Sequence, residues 1–175
     1  MSQSNRLLNR GFCALLITQF FGAINDSVLK QVIILAVASG GVWANQLGEG
    51  GQAYIALCLT VPFILFSGIA GQIADRISKN RITVLAKIAE VGIAALALGA
   101  FFAGNLWACL VVMVLLATQS AFFGPAKYGM IPELLAEKHL SKANGSINMF
   151  TNLAVIGGTL AVSYTHLTLP TRDDV

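Results

Sequence analysis

The sequence predicts an all-α integral membrane protein, built as a bundle of about five transmembrane helices. Charged residues make up 11% of its 175 residues, whereas soluble proteins carry roughly a quarter. Hydrophobic residues reach 56% and the mean hydropathy is +0.74. Apolar runs of about 20 residues, enough for a helix to cross the hydrocarbon core, alternate with short polar segments. A soluble domain of this size needs more charge to cover its surface, so we expect a membrane protein.

The basic segment Gly71–Arg81, with the sequence GQIADRISKNR, sets the orientation of the chain. It separates two long apolar runs, so we expect a tight loop between two spanning helices. It contains Arg76, Lys79 and Arg81, and short loops rich in Lys and Arg face the cytoplasm. The segment is therefore predicted to be cytoplasmic.

The other connections alternate around this one. The N-terminus and Lys127–Lys142 carry basic residues and are predicted to be cytoplasmic, whereas Ser39–Gln52 and Gly104–Asn105 carry none and are predicted to be external. This pattern describes a multi-pass protein of the cell inner membrane with a cytoplasmic N-terminus. The predicted spans cover about 11–38, 53–74, 82–103, 106–123 and 146–162.

Polar residues within the first span form a candidate substrate site. Asp26 and Lys30 are one helical turn apart, and Gln19 precedes Asp26 by two turns, so the three share one face. Asn25 adds a polar group beside them. Because a charge in hydrocarbon is costly, an intramembrane Asp needs a partner or a wet cavity. Two interpretations remain: a substrate or ion site facing a central cavity, or a structural Asp26–Lys30 pair.

The third span carries a second polar group, Lys87 and Glu90, three residues apart. Lys87 lies close enough to the cytoplasmic end for its ammonium to reach the interface. Glu90 does not. For Glu90 we weigh a cavity-facing role against a helix-packing pair with Lys87.

The end of the fourth span holds Gln119 and the sequence FFGPAKYG. Gly124 and Pro125 are expected to break the helix there and to free backbone carbonyls, which is tolerated only beside protein or water. Lys127 is then either a phosphate ligand or an anchor at the membrane interface. The candidate substrate-binding set is thus Gln19, Asn25, Asp26, Lys30, Glu90, Gln119 and Lys127.

The sequence offers no sign of catalysis or of a prosthetic group within these residues. Cys13, Cys58 and Cys109 fall inside apolar runs and lack the spacing of metal ligands, so we interpret them as buried small hydrophobes. The small net charge of +3 is not gathered on one face, which argues against nucleic acid. We expect no cofactor and no metal, and a lipid environment as the main partner.

The segment Gly71–Arg81 resembles the signature loop between the second and third helices of the major facilitator superfamily. Ser78 stands where the family usually has Gly, and Asn80 where it has a basic residue. The resemblance implies a conformational gate at Gly71, Asp75, Arg76, Lys79 and Arg81. In it Asp75 joins a charge relay with Arg76 and Arg81 that locks the cytoplasmic side in the outward-facing state.

Three further motifs resemble the lysophospholipid transporter branch of that superfamily. They are QFFGAINDSVLK at Gln19–Lys30, FFGPAKYGMIPELL at Phe122–Leu135 and SKANGS at Ser141–Ser146. They look closest to transporter parts fused to acyl-acyl carrier protein synthetase/acylglycerophosphoethanolamine acyltransferase. The resemblance implies that lysophospholipid, chiefly lysophosphatidylethanolamine, moves from the outer to the inner leaflet for re-acylation. It also implies an acyltransferase/acyl-acyl carrier protein synthetase as a fused domain or a partner.

The chain is shorter than such a transporter. A facilitator has about twelve helices in two halves, and this chain stops in its fifth, so residues 1–162 are expected to be part of the N-terminal half. The tail 163–175, SYTHLTLPTRDDV, departs from the apolar pattern; we expect it to be foreign to the gene, the alternative being a polar end to span five. Two other functions stay open: a substrate-delivering domain of a bifunctional acyltransferase, and a facilitator exporting another amphiphile or drug.

Overall fold

The computed structural model describes residues 7–38, 42–43, 46–47 and 50–168. In that part of the chain it contains five helices that are long and apolar enough to cross a membrane. The predicted all-α membrane bundle is thereby confirmed. The helices are α1 (Arg10–Val37), α2 (Gly51–Arg76), α3 (Lys79–Phe102), α4 (Leu106–Leu134) and α5 (Leu140–Thr168).

The turn between α2 and α3 is shorter than the sequence indicated. α2 continues to Arg76 and α3 begins at Lys79, so Ile77 and Ser78 alone separate the helices. The prediction that all of Gly71–Arg81 forms a loop is therefore wrong. Polar residues at a helix end keep their backbone hydrogen bonds while their side chains reach the polar side of the membrane, so hydropathy underestimates the length of such a helix.

The fourth helix passes through the point where we expected it to break. α4 is continuous from Leu106 to Leu134, with Pro125 and Pro132 inside it. A proline removes one intrahelical hydrogen bond, and packed neighbours make that loss tolerable in a membrane helix. The predicted break at Gly124 and Pro125 is wrong, and Lys127 lies within α4 instead of starting a polar connection.

The fifth helix is longer than the apolar run that predicted it. α5 begins at Leu140, after a short 3-10 helix at Glu137–His139. It continues through Ser163 to Thr168. Residues 169–175 lie outside the described part of the chain, as does part of the predicted external segment 39–52. The foreign origin of the tail stays a prediction.

The central element of the bundle is α4, which contacts all four other helices. α2 and α3 pack chiefly on α4, and α1 packs chiefly on α5. One apolar cluster includes Ile33, Trp43, Ile55, Leu106 and Met113. A second cluster includes Phe12, Ile131, Leu135 and Ile147.

Between these two clusters the helices enclose polar side chains. The outer faces of α2, α3 and α5 instead expose large apolar side chains, as expected for helices in contact with lipid; examples are Ile64 and Leu65 on α2, Ile88 and Val91 on α3, and Ile156 and Leu160 on α5.

The start of α1 is tied to the end of α4 by one side chain. The Asn9 Oδ1 accepts a hydrogen bond from the Phe12 backbone N–H at 2.8 Å, which caps α1. The Asn9 Nδ2 donates to the Leu134 carbonyl at 2.9 Å. Both helix ends are thereby held at the same level.

Candidate functional site

A cavity of about 430 Å³ lies within the bundle, lined by residues of all five helices. Three lysines and two carboxylates line it, together with apolar side chains of α2 and α4. Six of the seven predicted substrate-binding residues line this cavity. They are Gln19, Asp26, Lys30, Glu90, Gln119 and Lys127.

The predicted residue that does not line the cavity is Asn25, which is half-buried on another face of α1. Consecutive residues of a helix point in different directions, about 100° apart. The structure therefore separates Asn25 from its neighbour Asp26. Asn25 remains useful as a control position.

Asp26 is the carboxylate that α1 contributes to the cavity. The Ser120 hydroxyl of α4 donates a hydrogen bond to its Oδ2 at 3.4 Å. Its Oδ1 is buried and has no hydrogen-bond partner among the described residues. Within the described part of the chain, no ion pair within 4.0 Å joins Asp26 to Lys30. The structural pair that we considered from the sequence is thus not formed.

Lys87 and Glu90 of α3 form an ion pair with a distance of 2.6 Å between Nζ and Oε2. Glu90 is 9% exposed, so this charge is neutralised inside the bundle. Lys87 therefore points to Glu90 instead of reaching the interface. Both interpretations of Glu90 hold together, since it pairs with Lys87 and also lines the cavity.

The pair lies directly against α1 at Gly22. A Cβ on Gly22 would collide with the Lys87 ammonium and lie 3.0 Å from the Glu90 Oε1. Glycine therefore allows α1 to pass over the charges of α3. Asp26, which follows Gly22 by one turn of α1, lines the same cavity as Glu90.

Lys127 supplies a cation from α4 and is 8% exposed. Its Nζ lies 5.8 Å from the centre of the Phe123 ring and 4.6 Å from the centre of the Tyr128 ring. Among the described residues no carboxylate lies within 4.0 Å of it. The cavity thus contains an acid and a base, on α1 and α4, that are not paired with each other.

The two glutamines tie helices together at the cavity wall. The Gln19 Nε2 donates to the Thr151 hydroxyl of α5 at 2.9 Å. The Gln119 Nε2 donates to the Ala86 carbonyl of α3 at 3.1 Å. Each buried amide therefore has a protein partner, as buried polar groups require.

Sequence reasoning missed several cavity residues, including Gly22, Ser120, Phe123, Tyr128 and Thr151. A signal existed for two of them. Phe123 precedes Lys127 by four residues, which places both on one helix face, and Tyr128 is its neighbour in the chain. The others depend on which helices meet, and a single sequence does not contain that information.

The predicted gate residues lie at the junction of α2 and α3. Asp75, Arg76 and Arg81 are exposed and Gly71 is half-buried. Lys79 forms an ion pair with Glu133 of α4 at 3.0 Å, a partner that sequence reasoning missed. The Lys79 side chain crosses α4 at Gly129, where a Cβ would lie 2.7 Å from its Cε.

Curated proteins named "Lysophospholipid transporter LplT" are similar to this chain. The protein of Photorhabdus laumondii is 30% identical over 154 residues, covering 88% of this chain and 36% of that protein. The protein of Cronobacter sakazakii is 30% identical over 163 residues, with coverage of 91% and 38%. That of Yersinia enterocolitica is 27% identical over 160 residues, with coverage of 89% and 36%. This chain is therefore similar in sequence to part of these lysophospholipid transporters.

The homology extends over most of this chain but over little of the lysophospholipid transporters. The chain spans little more than a third of their length. The homologues are named as transporters and not as enzymes. No family model and no solved structure matches the chain.

Proposed function

We propose that this chain is the N-terminal part of a secondary transporter of the major facilitator type, which moves lysophospholipid such as lysophosphatidylethanolamine to the inner leaflet by alternating access. The observation that carries the proposal is the pair of separated opposite charges in one membrane cavity. Asp26 has an oxygen without a hydrogen-bond partner among the described residues, and Lys127 is held by aromatic rings instead of by a carboxylate.

The two charges complement a zwitterionic head group. An ammonium group binds a carboxylate, and a phosphate binds an ammonium, through charge-assisted hydrogen bonds. In this proposal Asp26 meets the ethanolamine ammonium, while Lys127 or Lys30 meets the phosphate. Gln19 and Gln119 hold the helices around the head group through the contacts described above, and Glu90 adds its carboxylate to the same cavity wall.

The rest of the substrate is apolar and needs an apolar wall. Leu59 and Phe63 of α2 and Leu116 of α4 line the same cavity. A single acyl chain with a small polar head matches a cavity that has both kinds of lining. This match favours a lysolipid over a small polar solute.

The proposed transporter is longer than this chain. Facilitator sites lie near the bilayer midplane between repeated halves, and the homologues are nearly three times as long as the segment that they share with this chain. In the proposal a second half closes the cavity. The assays below therefore use the full open reading frame that contains this sequence.

The cytoplasmic gate is a further part of the proposal. It comprises Gly71, Asp75, Arg76, Lys79 and Arg81, and its support here is the Lys79–Glu133 ion pair, which joins α3 to α4 beside the short turn. Asp75 lies in the last turn of α2 and is exposed, so it is accessible to a neighbouring helix in one conformation of the transporter.

Location and partner complete the proposal. We place the chain in the cell inner membrane with a cytoplasmic N-terminus, on the distribution of Lys and Arg. An acyltransferase/acyl-acyl carrier protein synthetase, fused or separate, re-acylates the delivered lipid. Co-purification with such an enzyme, or an acyltransferase domain in the same reading frame, is the expected observation.

Uptake of labelled lysophosphatidylethanolamine into spheroplasts tests the proposal. We expect Asp26→Asn, and whichever of Lys30→Ala and Lys127→Ala removes the phosphate ligand, to lower uptake at least about tenfold, because each removes a charge-assisted hydrogen bond of about 1.5–3 kcal/mol. Asn25→Ala, next to Asp26 but outside the cavity, is the matched control and retains uptake. Wild-type uptake by the Asp26 and Lys30 variants contradicts the site. Uptake of a drug that lysophosphatidylethanolamine does not inhibit contradicts the substrate.

A further inference from the structure

The Phe123 ring lies close to the ammonium groups of two lysines that line the cavity, Lys87 and Lys127. Its side chain is buried, at 7% exposed. The Lys87 Nζ lies 4.2 Å from the centre of its ring, and the Lys127 Nζ lies 5.8 Å from the same point. An aromatic face attracts a cation through its quadrupole at such distances. One ring therefore attracts two ammonium groups that repel each other.

The two lysines differ in how their charge is balanced. Lys87 is neutralised by Glu90 at 2.6 Å. Lys127 has no carboxylate within 4.0 Å in the described part of the chain, although Asp26 lines the same cavity and has an oxygen to spare. Lys127 therefore differs from Lys87 in that its surroundings, and not a carboxylate, determine where its ammonium lies.

Two aromatic rings lie near the Lys127 ammonium. Phe123 lies on one side, and the Tyr128 ring lies 4.6 Å away. The Tyr128 hydroxyl donates a hydrogen bond to the Asn148 Oδ1 of α5 at 3.2 Å, which fixes the second ring relative to the bundle. Both rings line the cavity. The Phe123 and Tyr128 rings together attract the Lys127 ammonium without a carboxylate.

We propose that Phe123 is a positioning residue for phosphate recognition: its ring, together with that of Tyr128, keeps the Lys127 ammonium at one place in the cavity, where it is available to the phosphate of a lysolipid. The inference rests on the proposed function. Without the ring, the flexible Lys127 side chain is no longer held at that place, and ordering it for the phosphate then costs binding free energy. Phe123 itself does not touch the phosphate.

The test compares Phe123→Leu with Phe122→Leu in the full reading frame. Phe122 is the adjacent residue of α4, and its ring packs on Phe66 of α2 at 6.4 Å instead of on a lysine. Uptake of lysophosphatidylethanolamine is measured over a range of concentrations at equal membrane abundance. We expect Phe123→Leu to raise the KM about fivefold or more and to leave the maximal rate within about twofold. A higher KM at an unchanged maximal rate indicates weaker substrate binding that does not affect the rate of the bound complex. Phe122→Leu leaves the KM unchanged, and Phe123→Tyr restores it.

A second measurement separates recognition of the phosphate from recognition of the acyl chain. Monoacylglycerol, which has an acyl chain but no phosphate, is used as a competitor. Phe123→Leu is expected to keep the wild-type inhibition by monoacylglycerol while losing affinity for the lysophospholipid. If the ring has only a structural role, Phe123→Leu weakens the binding of both monoacylglycerol and the lysophospholipid, and that result overturns the inference.

The remaining outcomes each decide the matter. Equal KM values for Phe123→Leu and Phe122→Leu, or a Phe123→Tyr variant as impaired as Phe123→Leu, overturn the inference while the proposed function stands. Absence of uptake by the wild-type protein overturns the proposed function and the inference with it. Should Phe123→Leu fail to reach the membrane, Phe123→Met replaces it as the variant without a ring, and an unchanged KM there overturns the inference.

Discussion

Gly22 shows how one residue decides the chemistry of the cavity. The position has no side chain, and α1 therefore lies directly on the Lys87–Glu90 pair of α3. A buried charge pair is stable only where its geometry is good, so the space left by Gly22 is part of the pair's environment. Any side chain here changes the charges that the substrate meets.

We predict that Gly22→Ala lowers lysophospholipid uptake while changing thermal stability little. The added methyl group displaces the flexible end of Lys87, and the three atoms nearest to it outside its own helix all belong to the Lys87 and Glu90 side chains. The ion pair therefore shifts, and uptake falls about fivefold, the equivalent of about 1 kcal/mol. Uptake and the unfolding midpoint in detergent are the two measurements.

The control for this prediction is Gly92→Ala on α3, where a Cβ meets nothing within 4 Å. It is the same substitution in a membrane helix, away from the charges. Equal uptake by the two variants contradicts the role assigned to Gly22.

At the scale of the helix, the contact between α1 and α5 depends on a second glycine, Gly158. The Ser27 hydroxyl donates to the Val155 carbonyl at 3.0 Å and lies 3.3 Å from the Thr159 hydroxyl. Gly158 faces Ser27 at the same place. Small residues let membrane helices approach closely and form such hydrogen bonds. This interface holds α1, and with it Asp26, against α5.

We predict that Gly158→Ala destabilises the protein relative to Gly157→Ala. A Cβ on Gly158 would lie 3.0 Å from the Ser27 Cβ and 3.3 Å from the Ile24 carbonyl oxygen, whereas one on Gly157 meets nothing within 4 Å. Both variants gain the same helix propensity. The difference between their free energies of unfolding therefore reports the cost of overpacking at Gly158, about 1–3 kcal/mol. The free energy of unfolding in detergent measures it. A Gly158→Ala variant as stable as Gly157→Ala shows that the interface can relax.

The fourth helix illustrates where sequence reasoning on elements failed. Glycine and proline at positions 124 and 125 predict a helix end by local propensity. The structure keeps the helix intact because α4 is packed by four neighbours, and in a membrane a helix is the backbone state with the most hydrogen bonds satisfied. The continued helix places Lys127 in the cavity, one turn beyond Phe123.

At the scale of the whole molecule, the prediction concerns the two sides of the membrane. Arg76 ends α2, and Ala103 follows α3, whose length of 24 residues at about 1.5 Å per residue exceeds the hydrocarbon core. We predict that cysteines placed at 76 and at 103 react with a membrane-impermeant reagent from opposite sides. Both positions are exposed, so each is accessible in the folded state. Labelling of both from one side of intact cells contradicts the topology.

Much of the architecture follows from the sequence because hydropathy and positive charge act locally. The five helices, the turn between α2 and α3, and the shared face of Gln19, Asp26 and Lys30 are all predictable from spacing. Spacing leaves the partner of Asp26 open, since a lysine one turn away is close enough for an ion pair but need not form one. In the structure its hydrogen-bond donor is Ser120, far away in sequence.

The sequence by itself determined that the chain is apolar enough to cross a membrane several times and that a few ionisable residues lie within those crossings. It does so because the cost of a charge in hydrocarbon and the length of a helix are properties of each segment alone. Only the tertiary structure decided which charges are paired. The Lys87–Glu90 pair within α3 is one of two interpretations that spacing alone leaves open. Lys79 with Glu133 and Asp26 apart from Lys127 depend on distances between helices, and those distances depend on where Gly22, Gly129 and Gly158 let the helices approach.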